Sequence, residues 1–288
     1  MRGETMSGER RGKLERPEVK YVSHAWVENN CARLTERDIR LLRLIWQLRL
    51  CSRSQVQAIS PDFTHLSQQC LILNNRLRVL FEKYCVDRIF PSVPLYSGTS
   101  QAHYALDKAG AILLELKNWH PIIKYKGGVR ILPITARHTL FTNEIVKILT
   151  VLARENQVEI LRLLRENENK RQFVSNGRQY TLIPDLFIIL RHINKGALAF
   201  IEVDMATEDL NVMKKKVENY NAYLYSNTWK EEWKWSKNPV FPKVFIIINN
   251  ERNVTRRIKA LRQLAQKSSV KFIIGDINNI KQIFEAII

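Results

Sequence analysis

Three apolar runs in the second half of the chain limit what it can fold into: "PDLFIIL" at 184–190, "ALAFIEVDM" at 197–205 and "KVFIII" at 243–248. They are short and rich in β-branched and aromatic side chains, which suits strands rather than helices. The last is apolar at consecutive positions, so both faces of its sheet must be covered, as in a mixed α/β sheet flanked by helices. Three carboxylates interrupt this pattern, Asp185 in the first run and Glu202 and Asp204 in the second. A carboxylate in a buried strand requires a partner or a cation.

The flanking segments supply the helices. "ITARHTLFTNEIVKILTVLAREN" places Leu140, Ile145, Ile148, Leu149 and Leu152 on one side, with Glu144 among them. "QVEILRLLRE" reads as a strand, although its pattern also permits a helix, and "SNGRQ" carries an Asn-Gly hairpin signal. Thr207 is placed to cap a helix running to about Tyr225, with Leu210, Met213, Val217, Tyr220 and Leu224 on one stripe. The helix "VTRRIKALRQLAQ", the strand "VKFIIGD" and a helix near 277–287 follow the "KVFIII" strand. The tryptophans of "NTWKEEWKWSKNP" either pack at the core edge or stack bases.

The first half reads differently. Thr35 is an N-cap ahead of a helix with Ile39, Leu42, Ile45 and Trp46 at helical spacing, and Ser52 caps a short second helix. A third helix, about 66–84, sets Leu73, Leu77 and Leu80 on one side. Two short strands, "CVDRIF" and one ending at Leu106, come next. Three helices and then a hairpin is the order of a winged helix-turn-helix, whose third helix enters the major groove. On that helix Gln68, Gln69, Asn74, Asn75, Arg76 and Arg78 are the candidate DNA-reading side chains. The same unit also serves as a protein-interaction module in other chains.

The charge favours nucleic acid. The net charge is +18 with a pI near 9.9, and the excess is shared: 21 basic and 12 acidic residues up to Pro133, 25 and 16 after it. A polyanion is the natural partner, with double-stranded DNA first and an anionic membrane surface second. The four cysteines have neither C-x-x-C nor zinc-finger spacing, which argues against a structural zinc site and for a reducing cytoplasm. No apolar run reaches the ~20 residues of a membrane span, and the N-terminus lacks the apolar centre of a signal peptide. The expected organisation is a basic, unstructured arm (1–33), a winged helix (34–118), a linker (119–133) and an α/β domain (134–288).

Clustered carboxylates that hold Mg²⁺ with open water positions are what metal-dependent phosphodiester cleavage needs. Asp185 and Glu202 lie on neighbouring strands, which run only ~4.8 Å apart, and Glu144 on the preceding helix offers a third oxygen ligand. The order Glu144, "IPDLFIIL", "FIEVD" and a following helix resembles the PD-(D/E)XK nuclease superfamily, whose core is α-β-β-β-α-β. From "LTERDIRLLRLI" through "YALDKAGAILL" and "RHTLFTNEIV" to "FIEVDMATEDLNVMKKKVENYNAYL", the chain resembles the replication-relaxation family over about 34–275. That family is associated with plasmids and mobile elements and joins a winged helix to a nuclease-like fold.

The resemblance implies that Asp185 and Glu202 are metal ligands and catalytic residues, with Glu144 as a supporting acid. The lysine that normally follows the glutamate by two residues is Asp204 here. Some members of the superfamily carry that lysine on the neighbouring helix, where Lys214, Lys215 and Lys216 stand. Helical spacing turns Lys215 away from the apolar stripe and sets Lys216 beside Tyr220 and Tyr223, so Lys216 is the candidate and Lys214 the second choice. Plain structural alternatives exist. Asp185 can simply start a strand, Glu202 and Asp204 can pair with Arg191 or Lys195, the lysine run can be a solvated face, and His138 can be a helix-start residue without a chemical role. The expected function is DNA binding in the replication or maintenance of a plasmid, phage or other mobile element, alongside its replication proteins. The second domain then acts as a Mg²⁺-dependent endodeoxyribonuclease. One alternative is a binding-only regulator that uses the core as a homodimer or strand-binding platform; another is a toxin or partner-recruiting scaffold.

Overall fold

In a computed structural model the chain forms two compact units, residues 1–140 and 141–288. The structure describes residues 16, 18–64, 67–90, 101–126, 129–193, 195–206, 209–233, 239–249 and 254–288, without the side chains of 67–70 and 167. Residues 1–15 and Thr207, both the subject of expectations above, lie outside the described residues.

The first unit opens with α1 (His24–Cys31), inside the stretch expected to be an unstructured arm. The Ser23 side chain accepts the Trp26 N–H as an N-cap, and Val27 and Cys31, one turn apart, are buried. Trp26 packs beside them, its ring edge-on to Tyr84 at 5.9 Å, so a cap and three side chains dock the segment. Next come α2 (Glu36–Leu48), closed by a Thr35/Asp38 capping box, β1 (Leu50–Ser52), and α3 (Arg53–Ile59), closed by a Ser52/Gln55 box. On α2 the buried stripe is Asp38, Leu41, Leu42, Ile45 and Leu48, and Trp46 is turned outward. Then α4 (Ser67–Glu82) buries Leu73, Leu77, Leu80 and Phe81. β2 (Val86–Ile89) and β3 (His103–Leu106) complete an antiparallel sheet in the order β1-β3-β2, and α5 (Lys108–Leu113) follows. α5 comes so close to the end of α4 that a Cβ on Gly110 would stand 2.2 Å from the Cys85 carbonyl oxygen.

Residues expected to be a bare linker form a hairpin, β4 (Lys124–Lys126) and β5 (Val129–Ile131). It is fastened to β2, because the Tyr125 hydroxyl and the Arg130 Nε–H donate to the buried Asp87 carboxylate at 2.8 and 3.1 Å.

The second unit contains α6 (Ala136–Glu155) from Phe141 onward, then β6 (Glu159–Arg165). β7 (Arg171–Ser175) and β8 (Arg178–Leu182) form a separate two-stranded sheet. Asn176 and Gly177 both have positive φ, 49° and 72°, as a two-residue type I′ connection requires. The central sheet runs β12-β11-β10-β9-β6, with β9 (Leu186–His192), β10 (Lys195–Asp204), β11 (Lys243–Ile248) and β12 (Phe272–Asp276). β6, β9 and β10 are antiparallel neighbours, while β10, β11 and β12 are parallel. The parallel pairs need crossovers. These are α7 (Leu210–Ser226) with the short α8 (Thr228–Glu232), and α9 (Val254–Ala265); α7 and α9 pack against each other. α10 (Ile280–Ile287) ends the unit and touches β10, β11 and β12.

Ile201 and Val203 of β10 are as buried as Phe200 and Glu202, and Val244 to Ile248 of β11 are all buried, so both faces of these strands are covered, as the continuous apolar run of β11 demands. Between α7 and the sheet lies an aromatic core of Phe173, Phe187, Phe200, Tyr220, Tyr223 and Trp233. Trp229 and Trp233 pack there rather than standing free for bases, and Trp235 lies outside the described residues. Among the described residues no helix is long and apolar enough to cross a membrane.

Candidate functional site

Asp185 lies at the entrance to β9, between it and β8, rather than in mid-strand. The register of β9 on β10 pairs Leu186 with Ile201. Continued by one residue, it sets Asp185 across from Glu202. The loop is held at three points. The Asp185 carboxylate accepts the Val203 N–H at 2.7 Å, its carbonyl accepts the Glu166 N–H at 3.3 Å, and the Pro184 carbonyl accepts the Asn169 amide at 3.0 Å. Asn169 is itself gripped by Arg171, whose guanidinium lies 4.8 Å from the centre of the Phe200 ring and 5.0 Å from that of Phe187. Arg171 also pairs with Glu232 at 2.9 Å.

Glu202 is 1% exposed. Its Oε2 accepts from Lys216 Nζ at 2.8 Å and its Oε1 from the Tyr220 hydroxyl at 2.6 Å. Lys216 Nζ is 3.7 Å from Asp185 Oδ2, so this one ammonium serves both carboxylates. Lys216 and Tyr220 are four residues apart on α7 and therefore share a face; Lys214 and Lys215 are exposed. Burial pushes the Glu202 carboxyl up to about 7; the Lys216 charge opposes this shift and the Asp185 charge adds to it. Tyr220 is held well above the ordinary phenol range by burial and by the Glu202 charge.

Asp204 points to the same face two residues on and belongs to a different pair. It is fully buried and accepts from Arg257 of α9 at 2.7 and 3.1 Å, and from the Ala206 N–H at 2.8 Å. The alternative partners foreseen for these acids do not apply, since Arg191 binds Glu159 at the other end of the sheet. Glu144 is about one-third exposed and binds Lys147 on its own helix at 2.6 Å. Among the described residues no group of three or more His, Cys, Asp or Glu side chains is gathered where it could hold a metal. The structure thus brings together Asp185, Glu202 and Lys216 and does not add Glu144 as a third acid to them. A pair of carboxylates still fits Mg²⁺ in kind, because that ion is commonly held by one or two carboxylates together with substrate phosphates.

On α4, Leu71, Asn74, Asn75 and Arg78 are exposed and spaced as one helical stripe. Arg76 is not part of it. Its guanidinium turns inward and binds the buried Asp38 carboxylate with both prongs, at 2.7 and 2.5 Å, so it is engaged in holding α4 to α2 rather than displayed on the stripe. The Gln68 and Gln69 side chains lie outside the described residues.

Residues 42–238 match the family model described as replication-relaxation. The chain belongs to the replication-relaxation family. The matched span holds Asp185, Glu202, Lys216 and Tyr220 and ends before α9. A solved structure of the restriction endonuclease FokI bound to DNA is similar over 88% of this chain, at 10% identity and a TM-score of 0.25. This family member spans 46% of that protein's chain. No curated protein matches the sequence.

Sequence reasoning missed four residues in and around the site. Tyr220 was placed on the apolar stripe of α7; the available signal was a hydroxyl one turn beyond the candidate lysine. Arg257 was hidden in a run of arginines, with nothing to say which one turns inward. Asn169 and Arg171, which brace the loop before Asp185, had no sequence signal.

Proposed function

We propose that this protein is a cytoplasmic DNA-binding protein that serves replication or maintenance of a plasmid, phage or other mobile element. In this reading its second unit carries a nuclease-type site for phosphodiester hydrolysis. One observation carries the reading: Lys216 Nζ, delivered by α7, lies 2.8 Å from Glu202 and 3.7 Å from Asp185. An ammonium beside two carboxylates that face each other across neighbouring strands is the side-chain set of a PD-(D/E)XK site, with the lysine supplied by the helix. The family membership and the charge of +18 support DNA as the partner.

Each residue then has a distinct task. Asp185 and Glu202 would hold Mg²⁺, which when bound supplies polarisation of the scissile phosphate and a more acidic water. Lys216 places positive charge where negative charge develops on the phosphate. Tyr220 fixes the Glu202 rotamer, and the Val203 N–H fixes that of Asp185. The first unit is read as a winged helix-turn-helix, with α4 in the major groove. Asn74, Asn75 and Arg78 read base edges, and Leu71 supplies apolar contact to thymine methyl groups.

A second reading, a DNA-binding regulator without cleavage, is favoured by one feature. Both Glu202 oxygens already accept hydrogen bonds from the chain's own groups, which leaves this carboxylate little call for a cation. Supercoiled plasmid incubated with Mg²⁺ or Mn²⁺ separates the two. The nuclease reading expects nicking that Asp185→Asn, Glu202→Gln and Lys216→Met each abolish while DNA binding persists. Nicking that survives in any of the three refutes that site, and intact plasmid with retained binding favours the regulator.

A further inference from the structure

From Val254 to Gly275 the chain has six lysines and arginines and no acid. The segment comprises α9, the turn after it and β12 as far as Gly275; Asp276, which ends that outer strand, caps the following turn with its carboxylate. Arg257 turns inward to Asp204 and Leu261, one turn later, is buried, so the opposite side of α9 faces out. That side carries Thr255, Lys259, Arg262, Gln263 and Gln266 at helical spacing. Together with Lys271 across from it, the stripe lines a cleft of about 850 Å³ floored by Phe272 and Ile274. The stripe spans about 16 Å at 1.5 Å per residue, the axial rise of roughly five nucleotides at 3.4 Å each. None of the residues that line the cleft is acidic.

We propose that this cleft is a second nucleic-acid contact, in which Lys259, Arg262 and Lys271 hold a phosphodiester backbone, separate from the outer face of α4. Two features decide against other occupants. Addition of a partner strand to β12 is disfavoured, because Arg262 reaches the Ile274 carbonyl of that strand at 3.5 Å and charges flank it. Protection of a bare edge would account for Arg262 and Lys271, but not for Lys259 on the helix or for a cleft lining without an acid. The flexible, donor-only heads match a polyanion whose contacts are mostly to phosphate. The cleft extends the reading of the chain as a DNA-binding protein, and the experiment separates the two.

Full-length protein is titrated by fluorescence anisotropy against a duplex and a single strand of equal length over a range of salt. K259Q/K271Q should reduce the slope of log K against log salt by about 1.8 on duplex, at about 0.9 per phosphate contact. K259R/K271R should restore the slope, and both variants should keep the wild-type melting temperature. The single-strand probe, at about 0.7 per contact, tells which form of backbone the cleft prefers. Unchanged affinity and slope in K259Q/K271Q, with weakened binding in N75A/R78A, overturns the cleft and leaves the α4 reading standing. The reverse pattern supports the cleft and refutes α4. Absence of binding to either probe by the wild-type chain sinks both. Loss of adsorption to phosphatidylserine vesicles in K259Q/K271Q, with DNA binding intact, assigns the cleft to a membrane surface and overturns the proposal.

Discussion

Arg76 separates recognition from architecture. By type and position it belongs with Asn75 and Arg78, yet its guanidinium makes a two-pronged bond to Asp38, a carboxylate that is 0% exposed. Burial raises the Asp38 carboxyl, but Arg76 together with the N–H and hydroxyl of Thr35 outweighs this, and the group ends below the usual carboxylate range. Removing one partner of a buried pair costs about 3–5 kcal/mol. Thr35 would still give Asp38 two hydrogen bonds at 2.8 Å, which places Arg76→Ala nearer about 2–3 kcal/mol. Spread over a domain of this size, that is a fall of very roughly 5–10 °C in melting temperature. The assay is urea unfolding of the full chain read by hydrogen exchange at α2 and α4 amides, beside DNA affinity at a temperature where both proteins are folded. The expected result is a lowered midpoint with an unchanged urea slope, partial recovery in Arg76→Lys, and DNA binding close to wild type. The pH dependence has a fixed sign. Asp38 titrates below its ordinary value in the folded chain, so its contribution is present above about pH 3.9 and is lost as pH falls through the folded value. Arg76→Ala should flatten that acid limb. An unchanged midpoint combined with lost sequence preference on DNA would refute the reasoning.

Four further outcomes follow from the second unit. In metal-free protein the Glu202 carboxyl should titrate near pH 7 by carbon NMR. Its folded value lies above the ordinary one, so its share of stability is greatest below pH 4.5 and declines as pH rises to about 7. Tyr220→Phe removes a hydroxyl donor from a fully buried carboxylate, should cost about 1.5–3 kcal/mol in urea unfolding, and should raise the Glu202 midpoint further; a lower midpoint would contradict the assigned hydrogen bond. Arg257→Met strands Asp204 in the core and should destabilise by about 3–5 kcal/mol, whereas the pair replacement Asp204→Leu with Arg257→Met should recover most of the loss. Gly177→Ala puts a side chain at a φ of 72°, so calorimetry should show a cost of about 1–2 kcal/mol.

The strands and helices were legible wherever a local rule acts alone. Asn176-Gly177 forces a tight hairpin, Thr35 and Ser52 cap their helices, and the apolar run at Val244–Ile248 demands cover on both faces. Lys216 was legible for the same reason, since 3.6-residue spacing separates it from Lys214 and Lys215. What sequence could not give depends on distant partners. Arg76 and Arg78 differ by two residues and by everything else, because only one lies above Asp38. Residues 24–31 were grouped with the arm because their few apolar positions adjoin a polar, basic N-terminus, yet a cap and a waiting core are enough to dock Trp26, Val27 and Cys31. Asp185 reads as a strand residue because Pro184 and the following apolar run look continuous, whereas Asn169 and Glu166 hold the chain there in the loop before β9.

Asp204 shows why the lysine comes from a helix. Residues 202 and 204 of a strand project to one face about 7 Å apart, so both must find partners among α7 and α9, which pack together on that face. α9 presents Arg257 to the farther acid, and α7 presents Lys216 to the nearer one. A lysine at position 204 would meet the Arg257 guanidinium in a fully buried place, two like charges without a counterion, which is far costlier than the pair that stands there. With position 204 occupied by an acid, the cation beside Glu202 has to enter from α7. The test of that coupling is the combined variant Asp204→Lys with Arg257→Glu, which reverses the pair in place. It should fold, leave the Lys216–Glu202 contact intact by structure determination, and leave Lys216→Met as damaging as before. If the reversed pair makes Lys216 dispensable, the strand position would supply the cation of the proposed nuclease site, and the helix lysine is a structural cation.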